Sequence, residues 1–174
     1  MSMAGRMAKR ANTRSRAKRG DRFLKERVHD PYRDPLKPRG PSSCPRCGAQ
    51  YRNGRWVWSN AEAYAPKTRL CPACHRIDDD YPAGEIILSG KFLDNHRDEI
   101  LARVRHVEES EHAEHPLHRI ISIDERANKV VIHTTDVHLP HRIAHALTDA
   151  WGGAMNTHYD PEGYFVRVRW ERRE

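Results

Sequence analysis

The chain has 174 residues, with 31 Lys+Arg against 24 Asp+Glu for a formal net charge of +7; its 37% apolar and 32% charged content lies below and above ordinary globular values. That balance excludes one large core over the whole length and leaves one compact domain, or two small ones, with a part that stays disordered alone. No run approaches the roughly 20 apolar residues that cross a bilayer, and the first 22 residues lack a secretory apolar run, so a soluble, cytoplasmic protein with no membrane role is expected.

Residues 1–43 hold 13 Lys+Arg and 4 Asp+Glu, a balance of +9, whereas the other 131 hold 18 and 20, a balance of −2. Seven cations and no acid fall in the first 20 residues: Arg6, Lys9, Arg10, Arg14, Arg16, Lys18 and Arg19. Spaced by Ala, Ser and Asn, they suit an arm that neutralises phosphates and orders only on nucleic acid. A solvated solubilising tail is the competing reading. A mitochondrial presequence would want large apolar residues on one helical face, and only Ala and Met precede Phe23. Asp30-Pro31, Asp34-Pro35, Lys37-Pro38 and Gly40-Pro41 then punctuate the chain. Residues 1–43 are therefore expected to form a disordered basic tail and a Pro-rich linker.

Residues 44–84 carry Cys44-Pro45-Arg46-Cys47-Gly48 and Cys71-Pro72-Ala73-Cys74, with 23 residues between the inner cysteines. Two residues between paired cysteines let both thiolates of a tight turn face one ion, and Gly48 relieves the backbone after the first turn. In a reducing compartment two such pairs point to a metal rather than to disulfides. A zinc ribbon is expected, with one Zn2+ held by Cys44, Cys47, Cys71 and Cys74. Four thiolates close a tetrahedral shell, so the ion would be structural and would supply folding free energy to a small segment. Between the pairs, Arg52, Arg55 and Trp56 interleave cations with aromatics, a composition that stacks on bases and holds phosphates. Trp56 and Trp58 also alternate as strand residues do, so packing around the metal competes with that role. Cys71-Pro72-Ala73-Cys74-His75 matches a haem attachment pattern, but the second matching pair argues against haem and against a thioredoxin-like dithiol. His112-Ala113-Glu114 resembles half of a zinc deaminase signature in reversed order.

Residues 85–174 read as an α+β domain. Leu93, Arg97, Ile100, Val104, Val107 and Glu111 step by four and three, predicting one long helix between Gly90 and His115 that Pro116 stops. Arg119–Asp124 and Lys129–Thr135 read as strands joined around Asn128. Thr135 or Asp136 can cap a second helix bearing Leu139, Ile143, Leu147 and Trp151, with Gly152-Gly153 as its stop. Met155–Tyr159 and Tyr164–Trp170 form a second hairpin turning at Asp160-Pro161-Glu162-Gly163. In its last strand Val166, Val168 and Trp170 alternate with Arg167 and Arg169, so that one face is apolar and the other basic, and the two cations join the RNA-contact set. The order α-β-β-α-β-β predicts an antiparallel sheet with helices on one face. Many of the 12 histidines fall in this half. His112, His115 and His118 straddle a helix end and can be read as part of a second metal site or as surface groups that contact phosphate or respond to pH. No H-E-x-x-H, Gly-rich phosphate loop, nucleophile elbow or Cys–His dyad occurs. Asp78-Asp79-Asp80 reads as an exposed acidic turn or a hard-cation site.

The ordered motifs Cys44-Pro45-Arg46-Cys47-Gly48-Ala49, Gly54-Arg55-Trp56, Cys71-Pro72-Ala73-Cys74-His75-Arg76-Ile77, Tyr81-Pro82-Ala83-Gly84, Glu114-His115-Pro116-Leu117 and Thr134-Thr135-Asp136 occur in this sequence. Over roughly residues 40–171 they resemble a family of short bacterial zinc-ribbon proteins. That family is itself similar to the amino-terminal region of the large-ribosomal-subunit export adaptor of eukaryotes and archaea. The resemblance implies Cys44, Cys47, Cys71 and Cys74 as zinc ligands and docking on the large ribosomal subunit. Only two Cys pairs are present where the adaptor has more, and its later domains and export signals are lacking, so export is not implied. Stress or low-oxygen settings, with ribosome storage, are. The expected function is a non-catalytic zinc-ribbon protein that binds ribosomal RNA on the large subunit or whole ribosome as a stress or hibernation factor, with no small-molecule substrate. A transcriptional or nucleoid-associated module would use the same charge, but neither predicted helix is rich in Arg, Asn and Gln as a recognition helix is. A metal-dependent nuclease or hydrolase built on the His-rich half is the third reading.

Overall fold

A computed structural model of the protein describes residues 30–32, 37–59, 67–161 and 163–174. The tail cations Arg6, Lys9, Arg10, Arg14, Arg16, Lys18 and Arg19 lie outside the described residues. So does Glu162 of the expected turn.

The chain folds as a mixed α+β protein with two sheets and four helices among the described residues. The first sheet is small. Its strands β1 (Ser42–Ser43), β2 (Gln50–Arg52), β3 (Arg55–Val57) and β4 (Lys67–Thr68) lie in the order β3-β2-β1-β4. Asn53 and Gly54 join β2 to β3, and both have positive φ, 49° and 84°. This is the backbone that an Asn-Gly hairpin turn requires. Helix α1 (Pro72–Asp78) begins inside the second cysteine pair, with Cys71 as N-cap and Pro72 at a position where the missing N–H costs nothing. The first sheet thus starts at Ser42, within the stretch expected to be linker. Farther upstream, Tyr32 donates from its hydroxyl to Asp79 at 2.7 Å, just past the end of α1.

The second sheet has five strands: β5 (Gly84–Ser89), β6 (Ile120–Arg126), β7 (Lys129–Thr134), β8 (Ala154–Tyr159) and β9 (Val166–Glu171), in the order β6-β7-β5-β9-β8. Helices α2 (Lys91–Asn95) and α3 (Arg97–Glu114) follow β5, and α4 (Leu139–Trp151) follows β7. This corrects the expected arrangement in three respects. The central strand β5 precedes the helices and was not foreseen, because Ile86-Ile87-Leu88 is a continuous apolar run without the alternation of a half-buried strand. It pairs antiparallel with β7 and parallel with β9, so the sheet is mixed. The expected single helix breaks at His96, whose φ of −128° is not helical.

Ile86, Leu88, Val130, Ile132, Val166, Val168 and Trp170 point from one sheet face at Leu93, Ile100, Val104, Ile143 and Leu147 of the helices, and all are fully buried. Each such side chain removed from water contributes roughly 1.5–3 kcal/mol. The α4 stripe is the expected one, and Gly152, at φ 74°, ends the helix. Asp136 caps it, as one of the two foreseen residues, its Oδ2 accepting from the backbone N–H of His138 at 2.7 Å and of Leu139 at 3.1 Å. The two parts of the chain touch: Leu117 packs on the cysteine core, and the Trp58 indole donates to the His112 carbonyl at 2.6 Å. No helix among the described residues is long and apolar enough to cross a membrane.

Candidate metal centre

Cys44, Cys47, Cys71 and Cys74 converge, with all four sulfurs within 4.8 Å of one another and none in a disulfide. The first pair sits on a turn closed by Gly48 N–H to the Cys44 carbonyl at 2.9 Å and Cys44 N–H to the Ala49 carbonyl at 2.8 Å. Gly48 takes φ 80°, the left-handed conformation that favours glycine. The second pair is carried on the start of α1. Cys47 and Cys71 sulfurs stand 3.7 Å apart. A tetrahedral ion with metal–sulfur bonds of about 2.3 Å places its sulfurs about 3.8 Å apart, so the set fits one ion with a closed four-sulfur shell.

The surroundings suit negative sulfur. Backbone N–H groups of Cys71 and Cys74 point at the Cys44 and Cys71 sulfurs, each at 3.4 Å. The Arg119 guanidinium reaches the Cys74 sulfur at 3.4 Å. Sequence reasoning missed Arg119, which precedes β6 and lies far from the cysteines in the chain. Crowding divides the thiols. The hydrogen bond from Cys71 holds the Cys47 thiol down at about 5, burial pushes Cys74 up to about 11, and Cys71, donating to Cys47 and buried, moves upward as well. Four thiolates at this spacing need a cation, and a divalent ion would hold them together.

Comparison with family models, curated proteins and solved structures finds no match.

Of the expected RNA-contact residues near the centre, Trp56 is 9% exposed and packs in the cysteine core, its ring 5.5 Å from that of Tyr51. Its ring is chiefly a packing element. Arg52 and Arg55 face each other across the β2–β3 hairpin. Arg55 is exposed and lines a cleft of about 300 Å³ together with Lys37, Trp56, His118 and Asp136. On the far sheet, Arg169 is exposed, while Arg167 pairs with Glu85, which also meets His133 Nε2 at 3.1 Å. The structure does not bring Arg167 and Arg169 to the cysteine centre. Asp78 of the acidic turn pairs with Arg46, and Asp79 accepts from Tyr32.

A second cavity of about 630 Å³ beside the first sheet is lined by Lys37, Pro38, Arg39, Ser42, Lys67, Thr68 and Arg69. Among the described residues its lining holds four cations, two hydroxyls and no acid. The sequence-derived set omitted all four cations. Their signal was present as two Lys-x-Arg triplets, Lys37-Pro38-Arg39 and Lys67-Thr68-Arg69, since residues two apart share a side of extended backbone. Pairing of β1 with β4 brings the triplets together.

Proposed function

We propose that the protein is a non-catalytic zinc-ribbon module that binds structured RNA, namely ribosomal RNA on the large subunit or the whole ribosome, and acts when translation is idle. The observation that carries this reading is the basic cavity of Lys37, Arg39, Lys67 and Arg69 next to the four-cysteine centre, lined by no acid among the described residues. Four exposed cations around one concavity suit a bend in a phosphate backbone, where released counterions favour binding. Thr68, which is exposed, adds a hydroxyl that can donate to a phosphate oxygen, while the buried Ser42 hydroxyl donates to the Gly40 carbonyl at 3.1 Å and holds the cavity wall. The basic tail extends the same chemistry, and the motif resemblance points to the ribosome. Zinc in the cysteine shell would fix β1 and α1, and with them the cavity wall.

The test is sedimentation of the full chain from starved, oxygen-limited cells, joined to binding of purified large-subunit RNA across a salt series. The protein is expected in the ribosomal fractions. Replacing Lys67 and Arg69 together with Gln should lower the slope of log affinity against log salt by about 1.5, the loss for two phosphate contacts. Chelation that removes the metal should abolish site-specific binding and leave a weak, salt-labile remainder. Protein found only at the top of the gradient, with DNA in its crosslinks, would replace this reading with the transcriptional one. Metal-dependent cleavage of the RNA would replace it with the enzymatic one.

A further inference from the structure

We infer that Glu111, His115 and His118 form a second metal site, separate from the four-cysteine centre and open on one side, for a borderline divalent ion of the Zn2+, Co2+ or Ni2+ class. The three residues arise from one local device. Glu111 lies in the last turn of α3, and His115 one turn later donates its backbone N–H to the Glu111 carbonyl at 2.8 Å. Pro116 prevents the helix from continuing, and a tight turn, His118 N–H to the His115 carbonyl at 3.0 Å, folds His118 back over Glu111. One ligating atom from each residue lies within 4.8 Å of the others. His118 Nδ1 stands 3.2 Å from Glu111 Oε2. Two ligands on one ion with bonds of about 2.0–2.1 Å stand about 3.3 Å apart in a tetrahedral shell, so this pair is already spaced for metal. His115 is exposed and closes the set by side-chain rotation.

An outer partner lies close by. His118 Nε2 stands 3.6 Å from Asp136 Oδ2, just beyond hydrogen-bond reach, so with the ring bound through Nδ1 a small shift on metal binding would let it give its other N–H to that carboxylate. That carboxylate–histidine–metal relay fixes the tautomer and strengthens the ligand. Asp136 is 8% exposed and held by the backbone of α4, and its Oδ1 has no hydrogen-bond partner among the described residues. Arg142 approaches Glu111 at 3.5 Å through Oε1, leaving Oε2 to the metal, and its side chain is 66% exposed and free to swing away. Imidazole with carboxylate selects borderline ions over Mg2+ or Ca2+, and three protein ligands leave a coordination position for water or an anionic oxygen.

The experiment is equilibrium dialysis of the full chain, its cysteine centre filled, against Co2+, with metal counted and the visible spectrum recorded. One further equivalent is expected, with visible d–d bands of its own and no added thiolate charge-transfer absorption. It should be lost in H118A and in H115A, the latter at an exposed position where folding is not at stake, with circular dichroism and the first equivalent unchanged. H106A/H145A, which removes two other exposed histidines, should keep it. The inference is overturned if the wild-type chain takes no second equivalent, or if that equivalent survives H115A and H118A, or disappears in H106A/H145A. None of these outcomes bears on RNA binding.

Discussion

Glu85 shows how one side chain ties strands together through charge. It sits on β5, facing away from the helices, between Arg167 of β9 and His133 of β7, whose Nδ1 in turn meets the Ser122 hydroxyl at 3.3 Å. Burial alone would push the Glu85 carboxyl up. Hydrogen bonds and charge from Arg167 and then His133 outweigh it and hold the carboxyl below its usual range. A carboxyl depressed in the folded state releases its proton more readily there than in the unfolded chain. Its contribution is therefore complete above the ordinary value of 4.5 and is lost as pH falls through the lower folded value. Glu85→Gln should lower stability at pH 7 and flatten the loss below about 4.5, so that the two proteins converge in acid. Urea midpoints from pH 3 to 7 would show this, and parallel curves would count against the network.

Among the elements, the junction of β5 with α2 is the tightest. Gly90 has φ 104°, and a Cβ there would lie 2.1 Å from the Arg172 carbonyl oxygen, just beyond β9. Gly54, at φ 84° in the β2–β3 turn, meets nothing within 4 Å. Gly90→Ala should therefore cost about 3 kcal/mol or more, and Gly54→Ala about 1–2 kcal/mol, measured by urea unfolding of the full chain. The elements were unevenly legible in the sequence. Helix α4 could be read because Leu139, Ile143 and Leu147 recur at helical spacing beside a capping Asp136. Strand β5 could not, because Ile87 on its half-buried outer face joins Ile86 and Leu88 into one apolar run and hides the alternation that the burial shows. Its parallel pairing with β9 joins Glu85 to Arg167, 82 positions apart, and nothing local encodes that. The cysteine spacing was readable because chelation is a local constraint. The basic cavity needed β1 and β4 to meet before its two triplets became one surface.

For the molecule as a whole, Arg76 is the meeting point. Its side chain is fully buried on α1, pairs with Asp30 at 2.5 Å, donates to the Tyr81 carbonyl at 2.9 Å and lies 4.4 Å from the Tyr32 ring and 5.9 Å from that of Tyr164. It thus holds the upstream segment, the cysteine unit and the sheet domain in one cluster. Removing one member of a buried ion pair strands the other, a loss of about 3–5 kcal/mol, whereas removing both is far milder. Arg76→Met should therefore destabilise the full chain by about 3 kcal/mol. Adding Asp30→Asn should recover most of that, as thermal unfolding of the single and double variants would show. The placement of β9 between β5 and β8 has a temporal consequence. During synthesis all four cysteines and α1 have emerged long before Leu117 and Arg119 arrive to pack on them, and β5 keeps one edge bare until Glu171 has cleared the exit tunnel. A metal ion could thus meet its four sulfurs early, while the larger core must wait nearly a hundred more residues for its last strand pairing.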